Sequence, residues 1–513
     1  MYTHEAVFLS LFAFVLLVLC AYGLHRYQLV YLYYRYRKNQ PQLRASFLHL
    51  PQVTIQLPMY NERYVARRII ETACRIDYPR ERLEIQVLDD STDDTTLIAR
   101  RTVEDMLRAG HNVVYLHRDR RLGFKAGALA EGLKVAAGEF ICIFDADFVP
   151  PPDILQQTIH YFVDPKVGMV QARWEHLNRD HSLLTKTQAI LLDGHFVIEH
   201  TARSRSGRFM SFNGTAGLWR KSCIIDSGGW QHDTLTEDLD LSYRAQLRGW
   251  KFLHLPNLVT PAELPPEMPA FKAQQHRWTK GGAQTCRKLL PRILRSRLPW
   301  KIKLEAFFHL TSCTTYFFIL ALSLMLFPAL LIKLQVTGTH RLAGFLFDSA
   351  LLVIATCSAG SFYVASQREV FRSWSDSLKY LPFLMSLGIG IALNNAVAAL
   401  EGFFGRPGDF VRTPKYGVSA SSDQTWRGRH RHSRHPTGLN WQPFAELSLG
   451  LYMWACIAAC LYYGHVVAGV PFLALFAVGH CYVALSTLLA PYFAAWGRSE
   501  AEPAAGTKWP VPS

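Results

Sequence analysis

The sequence predicts an α/β domain with a mostly parallel sheet, inserted between transmembrane α-helices. Apolar runs concentrate at the N-terminus and after Leu304, and a stretch of roughly 250 residues between them is long enough for a soluble domain. Within that stretch, short β-branched runs alternate with helical stretches, which is typical of parallel strands with helical crossovers. The predicted strands are 53–60, 83–90, 112–118, 139–148 and 168–174.

The first apolar run, 6–24, contains 19 residues and no charge. It lacks the positive n-region and the clean cleavage site of a signal peptide, so a retained transmembrane helix over 1–30 is the better interpretation. The next 20 residues hold five Arg or Lys residues and no acid, which puts that side and the soluble domain in the cytosol. Four more spans are predicted at 306–332, 344–365, 446–467 and 470–492.

The apolar segment 381–404 is a poor candidate for a span because it contains glycines, two asparagines and Glu401. If it crossed, the loop 405–440 would lie outside, although this loop carries seven Arg or Lys residues against two Asp. The positive-inside rule places such a loop in the cytosol. We therefore expect an interfacial or re-entrant segment at 381–404 and five spans in all.

Composition leaves several partner classes open. The formal charge of +15 and the pI near 9.4 are compatible with nucleic acid, anionic lipid or an acidic ligand. The ten cysteines form no CxxC pair, so the sequence indicates neither a disulfide framework nor a zinc site, as expected in a reducing cytosol. A nucleic-acid-binding membrane protein would explain the charge but leaves the acidic clusters without a role.

Polar side chains lie at the carboxyl ends of three predicted strands, at 61–62, 89–90 and 145–147. Open α/β sheets bind ligands at the carboxyl ends of their strands, so these positions predict one site. Asp145 and Asp147 are two apart on a strand and share a face, which suits a hard divalent cation that also holds a phosphate. A surface turn with a helix cap is the alternative interpretation.

The run "LDDSTDDT" (88–95) divides into two pairs of acids. Asp89 and Asp90 end the strand and are expected to face the ligand. Asp93 and Asp94 are expected to open the next helix, where negative charge suits the positive end of the helix dipole.

The run "LTEDLDL" (235–241) contains our candidate general base, Asp238, because such a base must be a carboxylate near the reacting hydroxyl. The alternative is a helix N-cap formed by Thr236 or Asp238. In "QQHRWTKGG" (274–282), Arg suits phosphate and Trp suits a sugar ring, although both residues are also common in membrane-interface helices.

Two turns complete the candidate site. The turn "LGFKAGAL" (122–129) brings Lys125 to a helix start, where we expect a phosphate contact. The loop "FNGTAGLW" (212–219) has small residues that allow a ligand to approach the backbone. Simple turn chemistry is the alternative for both.

Nine motifs in order resemble the processive family-2 glycosyltransferases, which include cellulose synthase, hyaluronan synthase and especially the plant cellulose-synthase-like glucomannan and mannan synthases. The resemblance covers about Pro58 to Lys415. The motifs are "MYNE", "QVLDDSTDDT", "KAGAL", "FDADF", "VQARW", "FNGTAG", "TED", "QQHRW" and "FVRTPK".

The resemblance implies a Rossmann-like GT-A glycosyltransferase domain that uses a nucleotide sugar and Mg²⁺ or Mn²⁺. "FVRTPK" matches the gating-loop motif, which closes over the donor. The implied catalytic residues are Asp238, Glu237 and Arg277. The implied donor-binding residues are Tyr60, Glu62, Asp89, Asp90, Lys125, Asp145, Gln274, Arg277, Trp278, Thr413 and Lys415. The implied acceptor-binding residues are Asn213, Gly214, Thr215 and Trp278, and the implied metal ligands are Asp147 and Asp145.

The function implied by the resemblance is that of an inverting hexosyltransferase that polymerises a β-linked hexose polysaccharide of the β-1,4-glucan or mannan type and translocates it. The donor is UDP-glucose or GDP-mannose, the acceptor is the growing polysaccharide, membrane lipid is a further partner, and no nucleic acid is expected. The alternative is a non-processive glycolipid synthase that transfers one sugar to ceramide or diacylglycerol. We expect a bacterial inner or plasma membrane with a cytosolic catalytic domain.

The expected organisation follows the chain from one membrane helix to the next. No regulatory domain, plant-type insertion or zinc region is evident, and the basic run 427–435 has no assignable role beyond binding anionic lipid or acting as a linker. The expected ranges are a transmembrane helix at 1–30, the catalytic domain at 45–265, interfacial helices with QQHRW at 266–303, two spans at 304–366, the interfacial or re-entrant segment at 381–404, the gating and basic loops at 405–440, two spans at 446–492 and a disordered tail at 493–513.

Overall fold

A computed structural model describes residues 3–335, 339–371, 373–405, 412–418, 441–463 and 469–496. The strands are β1 Val53–Met59, β2 Leu83–Asp89, β3 Val113–His117, β4 Phe140–Ile143, β5 Val167–His176, β6 Gly217–Arg220 and β7 Lys251–Ala262. The helices are α1 Thr3–Tyr36, α2 Ala66–Cys74, α3 Thr95–Arg108, α4 Phe124–Val135, α5 Ile154–Ile159, α6 Leu183–Asp193, α7 Thr201–Arg205, α8 Lys221–Asp226, α9 Glu237–Leu247, α10 Met268–Arg295, α11 Trp300–Thr311, α12 Thr315–Gln335, α13 Thr339–Val370, α14 Leu381–Gly390, α15 Ala392–Phe404, α16 Gln442–Tyr462 and α17 Val470–Trp496. A π-helix, Gly194–His200, joins α6 to α7.

The seven strands form one mixed sheet in the order β3-β2-β1-β4-β6-β5-β7. The first four strands of this order are parallel, β6 is antiparallel to both of its neighbours, and β5 and β7 are parallel. The predicted mostly parallel α/β sheet is therefore confirmed. Two strands were not predicted from the sequence: β6, which has four residues, and β7, which contains two prolines. An edge strand such as β7 tolerates proline because its outer N–H groups need no partner in the sheet.

Both faces of the sheet are covered, which explains the continuous apolar runs of its strands. Ile55 and Leu57 of β1 pack in one core cluster with α2 and α3. Ile141 and Ile143 of β4 lie in a second cluster with α4 and α9. Because β1, β2 and β4 run in parallel, the loops that follow them meet at one edge of the sheet.

Five helical segments of the described chain are long and apolar enough to cross a membrane, and they make this an integral membrane protein. Each overlaps one of the predicted spans. They are Thr3–Tyr36, Trp300–Lys333, Leu346–Val370, Gln442–Tyr462 and Val470–Pro491.

The segment 381–404 forms α14 and α15, which follow the 3₁₀-helix Trp374–Tyr380. The pair is bent by 43° at its break, as in a broken span or a re-entrant loop. Its placement at the interface or in a re-entrant loop stays a prediction. Phe410, Val411, the basic run 427–435 and residues 497–513 of the expected tail lie outside the described residues.

Candidate active site

A cleft opens where the loops after β1, β2 and β4 meet. Residues of α9, α10 and the gating segment, which we define as residues 412–418, complete its walls. All the predicted site residues except Asp89 and Thr215 line this cleft: Tyr60, Glu62, Asp90, Lys125, Asp145, Asp147, Asn213, Gly214, Glu237, Asp238, Gln274, Arg277, Trp278, Thr413 and Lys415.

Asp89 and Thr215 lie behind the cleft and not in it, contrary to expectation. Both are fully buried. The Asp89 carboxylate accepts hydrogen bonds from the Ser91 amide at 2.9 Å and the Tyr115 hydroxyl at 2.6 Å. The Thr215 hydroxyl accepts one from the Asp145 amide at 2.9 Å. The polar side-chain atoms of Asp89 and Thr215 are thus engaged in hydrogen bonds that stabilise the loops carrying the cleft residues.

Tyr60 and Asp90 occupy the end of the cleft where the resemblance implies that the nucleoside binds. The Arg121 guanidinium lies 3.5 Å from the centroid of the Tyr60 ring. Arg118 donates to both carboxylate oxygens of Asp90, at 2.7 and 2.5 Å, and to two carbonyl groups of the loop 122–124. Asp90 therefore also anchors the loop before α4. Neither arginine was predicted as a site residue, because their only sequence signal is the arginine-rich run 118–121.

Each aspartate of the DxD pair is paired with a lysine. Lys125 Nζ lies 2.5 Å from Asp145 Oδ1 and 2.9 Å from the Gly214 carbonyl oxygen, and Lys415 Nζ lies 2.6 Å from Asp147 Oδ2. Burial opposes the charge of both lysines, but the neighbouring carboxylates outweigh it and raise the pKa of both. The cleft thus contains two lysine–aspartate ion pairs, and a bound diphosphate could replace the aspartates as the partner of either lysine.

Asp238 lies in the first turn of α9, against the loop that carries Gly214. A Cβ at Gly214, whose φ is +79°, would lie 3.1 Å from Asp238 Oδ2, so glycine allows this close approach. Asp238 Oδ1 accepts a hydrogen bond from the Leu239 amide at 2.8 Å. Burial, followed by the negative charge of Glu237, raises the pKa of Asp238 to about 7. A carboxylate with this pKa suits general-base catalysis at neutral pH.

The first part of the gating segment crosses the cleft. Arg412 donates to both carboxylate oxygens of Glu62, at 3.0 and 2.7 Å. Arg277 Nη1 of α10 donates to Thr413 Oγ1 at 3.2 Å. The segment therefore contacts the nucleoside end and the QQHRW motif at the same time.

The second part of the gating segment is held by two acids that the sequence analysis missed. The Tyr416 hydroxyl donates to Glu267 at 2.6 Å, and the Gly417 amide donates to Glu263 at 3.0 Å. Glu263 also accepts from Arg68 at 2.6 Å. Their signal was the pair of acids in "ELPPE", just before α10.

The QQHRW motif lies on α10, where Gln274, Arg277 and Trp278 share one helix face because they are three and four residues apart. This face lines the cleft. A Cβ at Gly281, one turn further on, would lie 2.6 Å from Thr236 Cγ2, so α10 packs closely on the start of α9. Tight packing brings the motif to the same wall as the candidate base.

The cleft suits a phosphorylated ligand and a proton transfer. Its cations, which include Lys125 and Arg277, can neutralise phosphate, and Asp238 can accept a proton. Asp145 and Asp147 supply two carboxylate oxygens of the kind that hard divalent cations prefer.

Comparisons with known proteins show what this chain is similar to. A profile described as glycosyltransferase like family 2 matches residues 51–281. Glucomannan 4-beta-mannosyltransferase 7 of Arabidopsis thaliana is 34% identical over 446 residues, which cover 84% of this chain and 76% of that protein. Glucomannan 4-beta-mannosyltransferase 1 of Oryza sativa subsp. japonica is 44% identical over 264 residues, half of each chain.

The solved structure of a mannosyltransferase from Pyrobaculum calidifontis, in complex with GDP-Man and Mn²⁺, shares the fold. Its TM-score is 0.51 at 20% identity, and the match covers 76% of this chain and 99% of that one. The two curated relatives are plant proteins, so they give no support to the expected bacterial membrane. The chain belongs to glycosyltransferase family 2, and it is a hexosyltransferase of the cellulose-synthase-like, polysaccharide-synthesising group with a GT-A fold.

Proposed function

We propose that this protein polymerises a β-1,4-linked mannan or glucomannan from a nucleotide sugar, with GDP-mannose as the favoured donor over UDP-glucose. The observation that carries the proposal is the cleft itself, where the candidate base, a DxD pair, the QQHRW face and the gating segment meet. The names of the curated relatives favour a mannosyl donor, as does the GDP-Man in the structure from Pyrobaculum calidifontis.

Asp238 is the proposed general base. It takes the proton from an acceptor hydroxyl, whose oxygen attacks the anomeric carbon as the bond to the diphosphate breaks. One such displacement inverts the anomeric centre, so an α-linked donor gives a β-linked product. Lys125 and Arg277 offset the negative charge that develops on the departing diphosphate.

The carboxylate oxygens of Asp145 and Asp147 are suitable ligands for a divalent cation. In the part of the chain that the structure describes, no group of three or more His, Cys, Asp or Glu side chains could hold a metal. Two carboxylates are nevertheless enough for Mg²⁺ or Mn²⁺ when phosphate oxygens and water complete the shell. Bound there, the cation would supply further charge neutralisation at the diphosphate.

We further propose that the catalytic domain lies on the cytosolic side and that the apolar helices conduct the product outward. The charge distribution after α1 supports this orientation. The gating segment supports repeated transfer, because its contacts bridge both ends of the cleft.

The test is to incubate membranes that contain the protein with labelled GDP-mannose or UDP-glucose, and then to size and digest the product. We expect a polymer made from GDP-mannose that β-mannanase degrades. Asp238→Asn should lower transfer at least about 10²-fold while the nucleotide sugar still binds. A labelled lipid that carries one sugar would instead favour the glycolipid synthase, and full activity of Asp238→Asn would exclude the proposed base.

A further inference from the structure

A cluster of exposed cations lies where α10 ends and α11 begins. Between Glu267 and Glu305 the chain contains ten Lys or Arg residues and no acid. Three lysines of α10, Lys272, Lys280 and Lys288, each form a salt bridge with an acid outside this helix. Four further cations are exposed, and none of them forms an ion pair with a residue that the structure describes. We call these four the basic surface: Arg292, Arg295, Arg297 and Lys301.

Exposed apolar side chains lie among these cations. Leu294 is 45% and Trp300 is 67% exposed. Lys303 Nζ donates to the Leu294 carbonyl oxygen at 2.9 Å, so the last turn of α10 lies beside the first turn of α11. Ile293 and Leu310 belong to one buried core cluster, which fixes the two helices to each other. Trp and Leu side chains interleaved with Arg and Lys are typical of helices at a membrane interface.

The depth of the basic surface follows from a contact between two membrane helices. The uncharged run of α1 ends at Leu24, and the Nε2 atom of the next residue, His25, lies 3.2 Å from the Glu305 carboxylate. This level therefore marks the end of the hydrocarbon layer. Trp300 precedes Glu305 by five residues of α11, which is about 7.5 Å along a helix. The headgroup layer is roughly 5–8 Å thick on each side of a bilayer, so the start of α11 lies within it.

The chemistry of the basic surface matches anionic phospholipid. A guanidinium can pair with two oxygens of a phosphate, and each Lys or Arg near an anionic leaflet strengthens the attraction. The four cations have no acidic partner in the described chain, and anionic headgroups supply such partners at the same depth. A soluble anion would use the cations but would leave Leu294 and Trp300 exposed to water.

We propose that Arg292, Arg295, Arg297 and Lys301 form a binding surface for anionic phospholipid headgroups in the leaflet that faces the catalytic domain. The surface is separate from the cleft, because the QQHRW motif ends at Trp278, which precedes Arg292 by 14 residues of α10. This spacing is about 21 Å along a helix. Lipid binding therefore needs no nucleotide sugar and is measured without one, so its outcome does not depend on the proposed function.

The first experiment measures the lipid selectivity of the full-length protein in phosphatidylcholine vesicles that contain phosphatidylglycerol as the minor lipid. Spin-labelled forms of the two lipids are compared by electron paramagnetic resonance, which resolves lipid that is immobilised on the protein. We expect the wild type to prefer phosphatidylglycerol by at least about 3-fold. Most of this preference should disappear in the variant Arg292→Gln, Arg295→Gln, Arg297→Gln, Lys301→Gln.

The matched control removes four exposed positive charges from the α/β domain instead. Its substitutions are Arg82→Gln, Arg101→Gln, Lys134→Gln and Lys166→Gln. The control should keep the wild-type preference, because these side chains do not belong to the membrane-flanking helices. A preference retained by the variant of the basic surface would overturn the proposal. An equal loss in variant and control would also overturn it, because net charge alone would then explain the preference.

Further measurements test the role of charge and the identity of the anion. The variant Arg292→Lys, Arg295→Lys, Arg297→Lys keeps the charge and should keep most of the preference. If it lost as much as the glutamine variant, charge would not be the cause and the proposal would be wrong. High concentrations of chloride should weaken the preference, because salt screens exposed charges. Inorganic phosphate at the same ionic strength should have no larger effect; a larger one would identify a site for soluble anions and overturn the lipid assignment.

Discussion

Lys415 Nζ of the gating segment lies 2.6 Å from Asp147 Oδ2, so the second aspartate of the DxD pair already holds a cation when the segment lies across the cleft. Asp147 is 3% exposed, which leaves little space for a second positive group at the same oxygen. A divalent cation that uses Asp147 must therefore displace the lysine or share its carboxylate.

We expect Lys415→Gln to bind Mn²⁺ roughly 10-fold more tightly than the wild type in the absence of donor, because a competing charge is removed. The measurement is a titration in which the electron paramagnetic resonance signal reports free Mn²⁺. Lys134→Gln, which removes an exposed lysine paired with Glu131, is the control and should match the wild type. Unchanged affinity in Lys415→Gln would show that the lysine and the cation do not compete.

The pH dependence of transfer should follow Asp238. Its carboxylate must be ionised to accept a proton, and its pKa is raised to about 7, so kcat/KM should fall as the pH drops below 7. The charge of Glu237 contributes to this raised pKa, and Glu237→Gln should therefore move the acid limb to lower pH. Glu131→Gln, on the exposed face of α4, serves as the control. An acid limb that stays in place or moves up would assign the titration to another group.

The two acid pairs of "LDDSTDDT" should respond differently to alanine. Asp90→Ala leaves the Arg118 guanidinium, 16% exposed, without its carboxylate, and we expect a loss of about 3–5 kcal/mol in the free energy of unfolding together with weaker donor binding. Asp93 accepts a hydrogen bond from the Thr95 amide at the start of α3, so Asp93→Ala should cost about 1 kcal/mol in the free energy of unfolding and leave donor binding nearly unchanged. Thermal unfolding and nucleotide-sugar titration check both variants, and equal effects would contradict the division.

A buried ion pair joins α10 to the membrane helix α16. Lys272 Nζ lies 2.7 and 2.8 Å from the two Glu446 oxygens, with side-chain exposures of 6% and 0%. Lys272→Met should lower the free energy of unfolding by about 3–5 kcal/mol, because it leaves a buried carboxylate unpaired. The double variant Lys272→Met, Glu446→Leu should recover most of that stability. The surface pair Arg67 and Glu71 is the control, and breaking it should lower the free energy of unfolding by less than about 1 kcal/mol. A double variant no more stable than the single one would exclude this explanation.

Much of the site could be predicted because parallel strands determine where their ends meet. Polar residues after β1, β2 and β4 must converge at one edge of the sheet, and most of the predicted residues do line one cleft there. Asp89 was an exception because alternation along a strand cannot tell whether a side chain at its end faces the ligand or the sheet's own loops.

The sequence by itself determined the α/β class, the five apolar segments and the order of the family motifs, since these depend on local periodicity and on residue type. Only the tertiary structure decided which polar groups pair and which stay unpaired. Arg118 meets Asp90 across 28 positions and Arg412 meets Glu62 across 350. By contrast, Nε1 of Trp174 and both ring nitrogens of His176 are buried without a hydrogen-bond partner among the residues that the structure describes. No local pattern encodes such contacts, because burial and partnership arise only when distant segments pack together.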